Sequence, residues 1–145
     1  MRHTFVKDIM KNAVISVDSS MTVKDAAKMM DDAEVGCVIV VENNQPAGIL
    51  TERDFVRRIA AQEKPLSTPV KEVMSSPLIT ISPDDTVWEL AELMKIKRIH
   101  KLPVMDQGRL IGITTSTDLT KLCSVGSNSE MRKICDQILL RMKDN

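Results

Sequence analysis

Gly48-Ile49-Leu50-Thr51-Glu52-Arg53-Asp54 is written a second time, 64 positions on, as Gly112-Ile113-Thr114-Thr115-Ser116-Thr117-Asp118. Both read Gly-apolar-x-Thr-x-x-Asp. The same offset runs outward from Val6 to Arg57 without a gap: Val6-Lys7-Asp8-Ile9-Met10 falls on Val70-Lys71-Glu72-Val73-Met74, and Thr22-Val23 falls on Thr86-Val87. Ile15, Ala27, Met30 and Val40 also meet identical residues, and apolar positions meet apolar positions almost throughout. A unit of roughly 60 residues written twice predicts two half-domains that bury a face against each other, with a cleft holding two related pockets.

Each copy reads in the order β-α-β-β-α. A short helical turn leads, followed by a β-branched stretch, Val14-Ile15-Ser16-Val17 or Leu78-Ile79-Thr80-Ile81. Val23, Ala26, Ala27 and Met30 then recur at helical spacing, as do Val87, Leu90, Ala91 and Met94. Thr22-x-x-Asp25 and Thr86-x-x-Glu89 are capping boxes at the two helix starts. Strands are expected over 36–42 and 46–50, joined at Asn43-Asn44, with the partner hairpin turning at Gln107-Gly108. Phe55, Val56 and Ile59, or Leu119 and Leu122, mark the closing helix. The expected organisation is repeat 1 over 6–62, a linker over 63–69 containing Pro65 and Pro69, repeat 2 over 70–124, and a further helix over 127–143. The fold class is α/β: two pseudo-symmetric β-α-β-β-α repeats packed as one module, plus a C-terminal helix. That last helix, with its apolar stripe and basic flanks, reads either as packing or as an interaction surface.

Composition narrows the function. Twenty Lys and Arg balance twenty Asp and Glu, so no strongly basic footprint points to nucleic acid. Two Phe, one Trp and no Tyr leave too few aromatic faces for a single-strand stacking platform. Ten Met read as fillers of an irregular aliphatic core. Three cysteines, Cys37, Cys123 and Cys135, form no CxxC pair, and the odd count argues against a disulfide framework and for a reducing cytoplasm. His3 and His100 have no ligand-like spacing, so no metal is expected. The start lacks a signal-peptide core, and no apolar run approaches the roughly 20 residues of a spanning helix. Lys95, Lys97, Arg98 and Lys101, with His100, read as a solvated helix C-terminus, where cations suit the macrodipole.

The repeated motif falls where a strand ends and a helix begins. Backbone N–H groups and a partial positive charge there suit a phosphate. A Thr hydroxyl adds a donor, and an Asp one turn in can accept from the two hydroxyls of a ribose. The same Thr-x-x-Asp is equally a capping box. One residue can serve both ends.

The doubled Gly-x-x-Thr-x-x-Asp, the pair Lys-Asp-Ile-Met and Lys-Glu-Val-Met, and Leu102-Pro103-Val104-Met105-Asp106 together resemble a tandem pair of CBS domains, the regulatory modules named after cystathionine β-synthase. The resemblance covers residues 6–124. It implies a binding module and no catalyst. Its ligands would be adenosine-containing: AMP, ADP or ATP first, with S-adenosylmethionine, NAD or a cyclic dinucleotide also within the family's range. One site would combine Thr51, Arg53 and Asp54 with Ile79, Ile99, His100, Lys101 and Pro103. The other would combine Thr115 and Asp118 with Ile15, Val35, Gly36, Cys37 and Ile39. Arg53 and Lys101 give way to Thr117 and Cys37 at the equivalent positions, so the Asp54 site is expected to prefer the more phosphorylated ligand. Partners implied are the nucleotide, a second copy in a homodimer and a client protein read in trans, with no membrane. The alternative is an interaction or scaffold protein whose pockets are vestigial.

Overall fold

The structure is a computed structural model and describes residues 3–123 together with Arg132, Lys133, Cys135 and Asp136. In chain order the elements are α1 (Val6–Ile9), β1 (Ser16–Asp18), α2 (Val23–Ala33), β2 (Cys37–Glu42), β3 (Gln45–Thr51), α3 (Glu52–Asp54) with a π-helical continuation over Phe55–Ala60, a 3-10 turn at Val70–Glu72, α4 (Val87–Lys97), β4 (Lys101–Asp106), β5 (Arg109–Thr115) and α5 (Ser116–Cys123). The expected β-α-β-β-α order is present in the first copy, and in the second without its leading strand.

Local chemistry accounts for the elements. In α2, Val23, Ala26 and Met30 are buried while Lys24, Asp25 and Lys28 face solvent. In α4, Val87, Leu90, Ala91 and Met94 are buried. Thr22 Oγ1 accepts from the Asp25 N–H and Thr86 Oγ1 from the Glu89 N–H, which satisfies one orphan donor at each helix start. Both helices end on a left-handed residue, Glu34 and Arg98, each at φ 55°. The hairpins turn through paired positive φ, at Asn43 and Asn44 and at Gln107 and Gly108, as a tight two-residue connection requires.

Two compact units result, one of residues 14–79 and one of the described residues of 1–13 and 80–145. They cut across the sequence repeats, because each lead segment folds with the other copy's hairpin. In the 14–79 unit, β1 runs parallel to β2 and β2 antiparallel to β3. Ser75 then pairs with Ile49 on the far side of β3. The Val23 N–H donates to Thr68 O and the Val70 N–H to Met21 O, so the segment read as a linker is tied to the start of α2. Val17, Val23, Met30, Val38, Leu50, Ile59, Val70 and Val73 form the core. In the other unit β4 and β5 pair antiparallel, and Lys11 takes the place on β5 that Ser75 takes on β3. The Val87 N–H donates to Thr4 O and the Val6 N–H to Asp85 O, repeating the tie.

Two sequence expectations change, and a third falls largely outside the described residues. The stretch Leu78-Ile79-Thr80-Ile81 forms no strand, only a parallel bridge from Ile81 to Val104. Pro77 and Pro83 flank it, and proline withholds the donors a ladder needs. The reading of the cysteines is corrected: Cys123 and Cys135 form a disulfide with Cα atoms 5.6 Å apart, while Cys37 is buried in β2. An odd count bears on a framework of several bridges and leaves one local bridge open. Of the helix expected over 127–143, Arg132, Lys133, Cys135 and Asp136 are helical and the remainder lies outside the described residues.

Candidate functional site

Both copies of the motif fold into the same local structure. Asp54 Oδ2 accepts from the Thr51 N–H at 2.9 Å and from Thr51 Oγ1 at 3.2 Å, while the Asp54 N–H donates back to Thr51 Oγ1 at 3.4 Å. Asp118 and Thr115 repeat this at 2.9, 3.1 and 3.3 Å. These are reciprocal capping boxes, and they commit one carboxylate oxygen in each copy. Both aspartates are buried, at 7% and 6% exposure. A buried carboxylate is retained only where its charge is answered.

The second oxygen finds that answer, from a different source in each copy. Asp54 Oδ1 lies 3.5 Å from Arg58 Nε, one turn along the same helix. Arg58 Nη1 also donates to Val73 O and Met74 O, at 3.3 and 3.0 Å, and so ties the helix to the following lead segment. Asp118 Oδ1 lies 3.7 Å from Lys11 Nζ. Lys11 sits just past α1, and its backbone exchanges two hydrogen bonds with Ile113, at 2.8 and 2.9 Å.

The motif glycines have a steric purpose. A Cβ on Gly48 would stand 2.6 Å from Met74 Sδ and 2.8 Å from Ser75 O; one on Gly112 would stand 2.7 Å from Lys11 O. Each lead segment crosses its strand at the glycine, and only a missing side chain admits it.

The other expected site residues gather by unit. In the 14–79 unit, Cys37 pairs with Thr51, the Glu52 N–H donates to Gly36 O, and the Ile39 N–H donates to Ile15 O. Gly36, Cys37, Ile15 and Ile39 therefore share a neighbourhood with Thr51 and Asp54, with half-buried Val35 just before them. Arg53 is exposed on α3 and Ile79 is half-buried at the end of the unit. In the other unit, Lys101 pairs with Thr115, the Ser116 N–H donates to His100 O, and the Ile81 N–H donates to Pro103 O. Ile99, His100, Lys101 and Pro103 thus lie beside the Thr115–Asp118 box. Each unit brings the motif of one expected site beside residues expected for the other, except that Ile79 lies in the unit of Thr51 and Asp54, as expected.

Ile9, Asp118, Lys121 and Leu122 line a cavity of about 210 Å³. That is below the 300–1,000 Å³ usual for a small-molecule site and suits a sugar-sized part of a ligand. Sequence reasoning missed Lys11, because nothing local connects it to Asp118. Arg58, four residues after Asp54, was legible as an i,i+4 partner. Among the described residues no group of His, Cys, Asp and Glu could hold a metal ion, and no helix is long and apolar enough to cross a membrane.

Comparison with known proteins agrees with this geometry. The CBS domain model matches residues 6–61 and 70–124. The CBS domain-containing protein YhcV of Bacillus subtilis is 39% identical over 114 residues, covering 79% of this chain and 81% of its own length. The CBS domain pair of protein MJ0100, solved in complex with 5-methylthioadenosine and S-adenosyl-L-methionine, superposes with a TM-score of 0.77 at 29% identity, over 85% of this chain and 98% of that one. A hexameric CBS-CP12 protein from bloom-forming cyanobacteria gives 0.78 at 29% identity, over 83% and 72%. With two copies of the domain matched over most of its length, the chain belongs to the CBS domain family.

Proposed function

We propose that the chain is a regulatory module that binds an adenosine-containing ligand, AMP, ADP or ATP in the first place, and passes the binding state to a partner in trans. One observation carries the reading: each buried aspartate keeps one oxygen, Oδ1, outside its capping box and facing a cation. An acceptor of this kind suits a ribose hydroxyl, and the cation beside it suits a phosphate. The adenosine compounds bound by MJ0100 support the ligand class. Asp54 and Asp118 are the ribose acceptors, with Thr51 and Thr115 toward the phosphate. Ile15, Val35, Gly36, Cys37, Ile39, Ile79, Ile99, His100, Lys101 and Pro103 supply the surfaces for the base. Arg53, replaced by Thr117 in the second copy, biases the Asp54 site toward the more phosphorylated ligand. S-adenosylmethionine and NAD are the alternative ligands. A homodimer, a client protein and a cytoplasmic setting complete the reading, with no catalytic step.

A second reading is favoured by the capping boxes themselves. They account for Thr51, Asp54, Thr115 and Asp118 without a ligand, as an interaction protein with vestigial pockets would require. A thermal-shift panel of adenosine, AMP, ADP, ATP, NAD and S-adenosylmethionine decides between the two. Saturation at about 100 times the dissociation constant adds roughly 2.7 kcal/mol. A shift lost in Asp54→Ala or Asp118→Ala establishes binding and names the working site. No shift with any ligand leaves the interaction protein.

A further inference from the structure

The closing helices of the two copies are anchored at their far ends by different means. Ile59, late in the first, is 4% exposed and belongs to the core of the 14–79 unit. The residue 64 positions on is Cys123, the last of α5, which is half-buried and bonded to Cys135. A covalent bond thus stands where the first copy has an apolar contact. Burial of Ile59 persists while the unit is folded, whereas a disulfide can be opened by exchange with a thiol.

The buried residues of α5, Asp118 and Leu119, lie in its first half, and the capping box with Thr115 secures its start. In the last turn Lys121 is exposed and Leu122 half-buried. The last carbonyls of a helix lack intrahelical donors, so that end opens first unless something ties it down. Lys121 and Leu122 also line, with Ile9 and Asp118, the cavity of about 210 Å³. What fixes the last turn therefore fixes one wall of the cavity beside Asp118.

The bridge is suited to exchange. Both of its cysteines are half-buried. They stand 12 positions apart, so opening the bond unties a local segment and leaves the β4–β5 pairing in place. Cys37, the third cysteine, is buried in β2 of the other unit. In the cytoplasmic setting proposed above, a disulfide is rarely a permanent brace.

We propose that Cys123 and Cys135 are a reversible thiol–disulfide site, reduced by a dithiol, and that the bridge sets the shape of the cavity beside Asp118. One thiolate of the dithiol attacks a sulfur of the bridge. The Cys123–Cys135 bond breaks, a mixed disulfide forms, and the departing cysteine thiolate takes up a proton. The second thiolate of the reductant then attacks the reductant's own sulfur in the mixed disulfide. The other cysteine leaves as a thiol, and the reductant leaves as a disulfide. Two electrons and two protons have passed to the protein. The structural part stands whether or not a nucleotide binds; its effect on a ligand rests on the adenosine reading.

Hydrogen exchange of the full chain, air-oxidised and then treated with dithiothreitol, tests the switch. The amides of 119–123 should exchange at least about tenfold faster after reduction and recover on reoxidation, with those of 55–60 unchanged. Cys135→Ser should exchange as the reduced chain does, with or without the dithiol. An air-oxidised chain without the bridge overturns the proposal. So does α5 exchange that ignores dithiothreitol, or an equal response in Cys135→Ser. AMP titrated into Asp54→Ala should bind at least about fivefold more weakly after reduction. Equal affinity overturns the coupling to the cavity. AMP bound in neither state overturns the adenosine reading instead, and the exchange of α5 then decides the switch by itself.

Discussion

Lys11 Nζ stands 3.7 Å from Asp118 Oδ1, although the two residues come from opposite ends of the repeat array. The lysine is half exposed and the aspartate is buried. A ribose hydroxyl that takes Oδ1 must loosen this pair, and the released ammonium is then placed for an anionic group on the same ligand. Lys11→Met is expected to weaken AMP or ATP at the Asp118 site by about tenfold, the value of one charge-assisted hydrogen bond, and to leave adenosine little changed. Titration calorimetry in an Asp54→Ala background isolates that site. An equal loss for adenosine would show that Lys11 only supports the fold.

Asp54→Asn separates capping from ligand binding. The amide oxygen can still accept from the Thr51 N–H, so most stability should remain, whereas Asp54→Ala removes the acceptor and costs about 1 kcal/mol. Both variants lose the charge facing Arg58, so both should lose ligand affinity at that site. Urea unfolding and calorimetry on the same preparations check the two halves of the prediction. If Asp54→Asn binds as wild type does, the charge is structural alone.

Gly48→Ala and Gly112→Ala should each destabilise by about 1–3 kcal/mol, the cost of overpacking, because the opposing atoms include the backbone oxygens of Ser75 and Lys11. Denaturant midpoints measure this directly. A variant with unchanged midpoint would mean that the lead segments do not cross the strands at the glycines.

These glycines also mark the limit of what the sequence made legible. The repeat, the buried faces of α2 and α4, the hairpin turns and the Thr–Asp boxes all lie within short windows, where spacing reports geometry. The exchange of lead segments does not. The alignment keeps Val6–Met10 with its own copy, whereas the fold joins Lys11 to Ile113 and Ser75 to Ile49 through backbone bonds that carry no side-chain code. Gly48 and Gly112 were visible as repeated residues, but the chain crossing them was not. Lys11 stayed hidden as a site residue for the same reason.

At Thr114 the second copy places a polar side chain inside the core. Its counterpart is Leu50, and both are fully buried. Among the described residues Thr114 Oγ1 is the buried side-chain oxygen without a hydrogen-bond partner. Leaving such a group unpaired costs about 1–3 kcal/mol, so the near-isosteric Thr114→Val should raise stability by about 1 kcal/mol. A fall in the thermal midpoint would imply that the hydroxyl is satisfied in solution.

The disulfide between Cys123 and Cys135 predicts a specific thiol count. Unfolded without reductant, the chain should label at one of its three cysteines, Cys37; after reduction it should label at three. Peptide mapping of the labelled chain identifies the site. The bond closes a short loop at the end of α5, the helix that carries Asp118. In the chain-entropy account a loop of this size stabilises by about 2–4 kcal/mol, so Cys135→Ser should lower the denaturant midpoint under oxidising conditions and have little effect under reducing ones. Three labelled cysteines without reductant would return the odd-count argument to force. They would also remove the bridge from the supports of α5, which include buried Leu119, its capping box and the Lys11 pair.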